Sequence, residues 1–321
     1  MSSDARIWCI TLASGTEPGG LPLDDGTDEI CAPVQFCSLP DGETPVAAAV
    51  ARARRLRHVA GHLLFLRPAQ RPFWQWGPEA DGGPTIFLED HDRGSGTTAL
   101  TALAYVVQAD PDATIVMQPT HLAVADDTVL QASILAAARL VSSGDNRLLA
   151  LSLGEDQPPG PPPKDRGAAR SGARRSTVGA SATDAASTRP GRRPSGFVVG
   201  QASAFVRAFD RIEHRLVHLL LTVARARPHD LAAAAEALYS KTAPLDLMGD
   251  VLAPAGSLVR VMAVPPCGAV DLRSAAAVSA FLRRSSAPVS RPRRRLPTSQ
   301  TPGGVPSEED APDSAYQEVV S

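Results

Sequence analysis

The chain has 321 residues, in which 32 lysines and arginines stand against 34 aspartates and glutamates, so the net charge is −2. This balance excludes a wholly basic nucleic-acid coat protein and a wholly acidic solvating chain. Hydrophobic residues make up 43% of the sequence and aromatic residues only 4%, so we expect a core built mainly from Leu, Val and Ala. The 4 cysteines form no CxxC pair, which argues against a zinc site and a disulfide framework.

Nothing in the hydropathy pattern indicates a membrane protein. No apolar run approaches the roughly 20 residues that a membrane-spanning helix needs. The first residues include Asp4 and only a short apolar stretch, which is poor for a signal peptide. We therefore expect a soluble cytoplasmic protein with neither a membrane nor a nucleic acid as partner.

Two segments are predicted to be disordered. Residues 154–193 are rich in Pro, Gly and Arg, and Val178 is their only large apolar residue. Such a segment cannot bury enough surface to offset its chain entropy. The tail, 285–321, carries a run of arginines and then turns acidic. The remaining sequence predicts a single domain over 5–284 that is interrupted by the 154–193 insertion.

The first ordered block alternates between short apolar strands and helical patterns. In chain order, the elements are a strand at 7–13, a helix at 44–57, strands at 62–66 and 85–88, a helix at 97–107, a strand at 114–118, a helix at 127–141 and a strand at 148–153. This alternation predicts an α/β fold, with a mostly parallel sheet flanked by helices on both faces. Ligands of such sheets bind at the carboxyl ends of the strands, so the loops at 14–22, 89–96 and 119–126 form the candidate site.

These loops resemble, in the same order, motifs of the sugar-phosphate nucleotidyltransferases, the nucleotide-sugar pyrophosphorylases, and most closely the mannose-1-phosphate guanylyltransferases. In the first block, LASGTEPGGLPL, PVQF, EDHDRGSGTTALTAL and DPDATIVMQPTHLAV resemble the family's LAGGSGTRLWPL, PKQF, EPEGRNTAPAIALAA and DPDALLLVLPSDHVI. In the second block, PSGFVVGQAS, PLDLMGDV and GAVDLRSA resemble NSGIFLFRAS, SIDYAVME and GWSDVGSW. The resemblance covers nearly all of both ordered blocks and implies a Rossmann-like, GT-A-like nucleotidyltransferase fold.

The resemblance also implies a reaction and its ligands. A sugar 1-phosphate oxygen attacks the α-phosphate of a nucleoside triphosphate, and pyrophosphate leaves as an NDP-sugar forms. Carried over by position, the nucleotide would be bound at Leu12, Ala13, Gly15 and Arg93. Mg²⁺ would be held at Asp271 and at the position of His121.

Several positions that carry catalytic or metal-binding residues in the family have other residues in this chain. The family's loop Arg falls on Gly19, its catalytic Lys falls on Val34, and its first metal-binding Asp falls on His121, whereas Asp271 is kept. Glu17 adds a negative charge where the triphosphate would bind. The sugar-site signature GYGYI followed by FVEKP is absent. No residue is therefore assigned a catalytic role.

Two hypotheses follow for the function. The first is a diverged, catalytically impaired nucleotidyltransferase-family protein that binds a nucleotide or a protein partner. The alternative is an active enzyme that makes GDP-mannose or a related NDP-sugar with Mg²⁺. Each site residue also has a structural interpretation: Gly15 as a plain turn, Arg93 as a helix-capping residue, and His121 as a packed histidine.

Overall fold

The computed structural model describes residues 6–15, 33–37, 39, 42–56, 58–74, 83–153, 194–227, 229–273 and 281. The two segments predicted to be disordered, 154–193 and 285–321, lie outside these residues, and so do Glu17 and Gly19. The single-domain boundary at 5–284 stays a prediction. Within the described part, no helix is long and apolar enough to span a bilayer.

A seven-stranded sheet lies at the centre of the molecule, in the order β3-β2-β1-β4-β7-β6-β8. Its strands are β1 (Ile7–Leu12), β2 (Val59–Leu66), β3 (Thr85–Leu88), β4 (Thr114–Pro119), β6 (Leu148–Leu153), β7 (Val198–Gln201) and β8 (Val259–Val264). Strand β7 runs antiparallel to both of its neighbours, whereas the other pairs are parallel. A second, two-stranded antiparallel sheet joins β5 (Leu122–Ala123) to β9 (Val270–Asp271).

Helices cover both faces of the large sheet. They are α1 (Pro45–Arg55), α2 (Ser95–Ala109), α3 (Asp127–Ser142), α4 (Ala202–Asp210), α5 (His214–Ala224), α6 (Leu231–Lys241) and α7 (Ala253–Ala255). Short 3-10 helices lie at Val34–Phe36, Pro68–Phe73 and Gly256–Leu258, and a π-helix lies at Leu247–Leu252. Helices α2, α4, α5 and α6 pack on one face, and α1 and α3 pack on the other. The predicted α/β architecture is confirmed.

The two cores follow from the alternation of side chains along the strands. On β4, Ile115 and Met117 face the core beneath α2 and α4, and Val116 between them faces the core beneath α3. The expectation of a core built mainly from Leu, Val and Ala is confirmed, because these three residue types make up most of the buried hydrophobic side chains of the described part. The fully buried side chains of largest volume include five phenylalanines: Phe36, Phe65, Phe197, Phe205 and Phe209.

Most element boundaries agree with the sequence pattern, and two caps explain why. The Thr44 hydroxyl accepts a hydrogen bond from the Ala47 amide (3.2 Å) at the start of α1, and the Asp126 carboxylate caps α3. Strand β2 begins three residues earlier than predicted because it pairs with β1 along nearly its whole length, from Val59 opposite Ile7 onward. Gly61, a residue that weakens strands, fits there because it lies directly beneath the Trp8 ring. A Cβ atom at Gly61 would collide with that ring.

Candidate functional site

Side chains from other parts of the fold hold the loop that follows β1 by donating hydrogen bonds to its backbone carbonyl groups. Gln35 Nε2 donates to the carbonyl oxygens of Ala13 (3.1 Å) and Gly15 (2.9 Å). Gln70 Nε2 donates to the same two oxygens at 3.1 and 3.3 Å. Arg67 Nε donates to the Ser14 carbonyl between them at 2.5 Å. Two 3-10 regions distant in sequence therefore set the path of the loop in which nucleotide contacts are predicted.

The remaining predicted residue of this loop, Leu12, lies at the end of β1. Its carbonyl accepts a hydrogen bond from the Thr120 hydroxyl at 3.1 Å. This bond ties the end of β1 to the turn after β4, as expected when neighbouring parallel strands end at the same edge. The structure thus brings the β1 loop next to the turn that carries His121.

His121 and Asp271 also come together, as the resemblance implies. Strand β5, which directly follows His121, pairs with β9 so that Leu122 lies opposite Asp271. The Leu272 amide donates to the His121 carbonyl at 2.8 Å. Burial and then the nearby Arg273 guanidinium lower the pKa of His121 to about 4, so its imidazole is neutral at neutral pH.

The carboxylate of Asp271 is engaged by a side chain two residues further on. Arg273 Nε lies 2.9 Å from both carboxylate oxygens, and Arg273 Nη2 donates to Oδ2. Burial alone would raise the pKa of Asp271, but the bonds from Arg273 and the neighbouring His121 hold it below its ordinary value. Both oxygens that a metal would use are therefore bound to a guanidinium.

These residues do not fit Mg²⁺. The ion requires several hard oxygen ligands in octahedral geometry, and His121 offers a neutral nitrogen instead. Asp271 is already paired with Arg273. Within the described part of the chain, no group of three or more His, Cys, Asp or Glu side chains could hold a metal ion.

The position that carries the catalytic Lys in the family lies in an apolar cluster. Val34 is 3% exposed and packs with Ala123, Val270 and Leu272. Ala123 belongs to β5, Val270 belongs to β9, and Leu272 directly follows β9. Leu39 and Phe281 pack against this cluster. Hydrocarbon side chains from the β5–β9 sheet therefore surround the side chain at position 34.

Arg93 lies two residues before α2, where the segment that contains Thr242 and Leu245 packs against it. Its Nη1 donates to the Thr242 carbonyl at 2.9 Å, and its Nε is buried without a partner. The turn between Arg93 and α2 requires glycine at position 94 for two reasons. Its φ is +78°, and a Cβ atom there would clash with the Leu245 carbonyl. The role of Arg93 in nucleotide binding stays a prediction.

Glu89, at the end of β3, is the most perturbed acid near the loop. Its side chain is only 5% exposed, and its Oε1 has no hydrogen-bond partner. Burial raises its pKa to about 7, against the opposing effect of hydrogen bonds from the Ser14 and Thr98 hydroxyls and of the charge of Arg67. A carboxyl group that titrates near neutrality at a strand end is a functional-site candidate.

Sequence reasoning did not single out five residues that shape this region. Gln35 lies inside the PVQF motif, Glu89 opens the EDHDRGSG motif, and Arg273 follows Asp271 at a spacing that permits an ion pair. Each of these three had a signal in the sequence. Arg67 and Gln70 had none, because their partners lie more than 50 residues away in the chain.

Comparisons with protein-family models and with curated proteins find no match. Among solved structures, a Thermus thermophilus protein described as a mannose-1-phosphate geranyltransferase has a TM-score of 0.62 at 17% identity, over 86% of this chain and 79% of that chain. A mannose-6-phosphate isomerase from Helicobacter pylori has a TM-score of 0.56 at 11% identity, over 83% of this chain and 100% of that chain. The Rossmann-like α/β fold that the motifs imply is confirmed.

Proposed function

We propose that this chain is a diverged sugar-phosphate nucleotidyltransferase-family protein, related to the mannose-1-phosphate guanylyltransferases, that binds a nucleotide without transferring it. The observation that carries the proposal is the burial of Val34 in the apolar cluster with Ala123, Val270 and Leu272. In the family, that position supplies a cation to the reacting phosphates.

The chemistry explains why this change matters. Nucleotidyl transfer concentrates negative charge on phosphate oxygens, so it needs fixed cations and a metal where that charge develops. Val34 contributes no charge, and the pairing with Arg273 neutralises Asp271. Loss of one such cation typically reduces the rate by about 10²–10³-fold. Loss of the metal site as well supports the proposal that turnover is abolished.

The nucleotide-binding part of the proposal rests on the β1 loop. The carbonyls of Ala13 and Gly15 are each held by two glutamine side chains, so this backbone is organised before any ligand arrives. A preorganised loop at the carboxyl end of a central strand is where nucleotides bind in this architecture. We propose Leu12, Ala13, Gly15 and Arg93 as the residues that contact a nucleoside triphosphate or an NDP-sugar.

The proposal predicts no pyrophosphate release from GTP and mannose 1-phosphate in the presence of Mg²⁺. A pyrophosphate-coupled assay, with an active guanylyltransferase as the positive control, measures this directly. Calorimetric titration of GTP and ATP, with and without Mg²⁺, measures binding separately, and we expect Mg²⁺ to have little effect. Robust turnover that is lost in Asp271→Ala would instead establish the active enzyme.

A matched pair of substitutions tests whether the Val34 position is closed. Val34→Lys would bury an ammonium group in hydrocarbon, so we expect a loss of several kcal/mol in unfolding free energy and no gain of activity. Val34→Met has a similar length without the charge and should cost about 1 kcal/mol. Pyrophosphate release by the lysine variant would show that the pocket is open and that only a cation is missing.

A further inference from the structure

A cavity of about 860 Å³ lies at the edge of the sheet beside β3. The ends of β2 and β3 form one wall, and helices α2 and α6 form the others. Alanines of α6, including Ala232, line the cavity and leave its space open. The volume lies in the range of pockets that hold small organic ligands.

Aromatic rings form a continuous wall of this cavity. The Phe65 and Phe87 rings stack with their centroids 4.9 Å apart, and the Tyr105 ring lies 4.5 Å from Phe87 at 58°. Tyr239 lines the opposite side and donates its hydroxyl to the His91 carbonyl at 2.5 Å. Ring faces are negative, so a ring face that borders the cavity attracts cations as well as apolar groups.

Acidic groups predominate among the charged residues that line the cavity. Glu89 is buried, whereas Asp90 and Glu236 are exposed at its rim. The basic residues are Arg71 and His229, both exposed, and His229 lies 3.3 Å from Asp230. The buried charge-bearing group of the cavity is therefore a carboxyl, which repels phosphate and attracts a cation.

The Glu89 carboxyl has unused hydrogen-bonding capacity. Its Oε1 is buried without a partner, although a buried carboxylate oxygen ordinarily has one. The charged and titratable groups near it are Arg67, Asp92 and Tyr239. Arg67 is turned towards the Ser14 carbonyl and the Asp92 carboxylate (2.8 Å). A hydrogen-bond donor on a ligand would give the Glu89 Oε1 atom the partner that it lacks.

We propose that this cavity binds an organic cation, whose ammonium group meets the Glu89 carboxylate and whose apolar or aromatic body lies along the wall of Phe65, Phe87 and Tyr105. This site borders the β1 loop, whose Ser14 hydroxyl bonds to Glu89, but the class of ligand proposed for it does not depend on the proposed function. The ligand class is an alkylamine or arylalkylamine rather than a phosphate ester.

Calorimetric titration of the full chain at pH 8 with phenethylamine and with 2-phenylethanol tests the proposal. The two probes share one skeleton and differ in the charged group. We expect the amine to bind about tenfold or more tightly than the alcohol. Glu89→Gln should weaken amine binding about tenfold without changing alcohol binding, whereas Asp112→Asn, at an exposed turn, should change neither.

A second substitution keeps the test informative if Glu89→Gln alters folding. Ala232→Leu reduces the volume of the cavity and should weaken the binding of both probes. Equal binding of amine and alcohol, or full amine affinity in Glu89→Gln, would overturn the proposal. Guanosine that displaces phenethylamine and binds more tightly would also overturn it, because the cavity would then belong to a nucleoside.

Discussion

Replacing Glu89 by glutamine is expected to stabilise the folded protein by about 3 kcal/mol at pH 8 and by much less at pH 5. Burial raises the pKa of this carboxyl from 4.5 to about 7. The folded protein therefore holds the Glu89 proton more tightly than the unfolded chain does. As the pH rises from 4.5 through about 7, the unfolding free energy of the wild type falls. That of the glutamine variant does not, because glutamine has no proton to lose.

Urea unfolding at several pH values between 5 and 8 measures the effect. Glu236→Gln is the matched control, because this glutamate lines the same cavity but is exposed. We expect the control to follow the wild type within about 0.5 kcal/mol at every pH. If the difference between wild type and Glu89→Gln does not change with pH, the Glu89 carboxyl does not titrate as its burial requires.

Replacing Arg52 by alanine is expected to destabilise the fold by about 3 kcal/mol. The Arg52 side chain is 4% exposed, and its Nε lies 2.6 Å from the Asp127 carboxylate. Its Nη1 donates to Gln118 Oε1 at 3.1 Å, and its guanidinium lies 5.4 Å from the centre of the Phe197 ring. The substitution leaves the buried Gln118 Oε1 without this donor and removes the closer of the two guanidinium groups that contact Asp127.

Arg55→Ala provides the control for this prediction. Arg55 lies on the same helix and contacts the same carboxylate at 3.5 Å, but its side chain is 53% exposed. Exposed ion pairs are screened by water, so we expect a loss below about 1 kcal/mol. Denaturant unfolding of both variants under one condition gives the comparison. Equal losses would show that burial of the Arg52 pair contributes nothing beyond an ordinary surface contact.

Arg52 belongs to a buried polar network that couples α1 and α3 to the central strands. Gln118 Nε2 donates to Thr11 Oγ1 and to the Ala49 carbonyl, both at 2.8 Å, and Thr11 also contacts His62 Nε2 at 2.8 Å. Burial and the Arg54 charge lower the pKa of His62 to about 4. The histidine therefore stays neutral at neutral pH and adds no second charge beside Arg52.

The sequence by itself determined the architecture and the order of the strands and helices along the first block. Apolar residues recur with the period of strands or of helices, and burial of those faces requires a layered α/β fold. It also predicted that His121 and Asp271 meet, because the motifs that carry them follow strands ending at one edge. The pairing of β5 with β9 brings them together.

Only the tertiary structure decided the chemistry of those positions. Whether Val34 faces solvent or hydrocarbon depends on β5 and β9, which lie about 90 and 235 residues further along the chain. The pKa of Glu89 depends on how completely neighbouring elements exclude water from it, and no local pattern encodes this. The cavity beside β3 arises from the packing of α6 against α2, a contact between helices more than 120 residues apart. Local periodicity specifies which face of a helix or strand is buried, whereas the tertiary structure determines which other elements pack against that face.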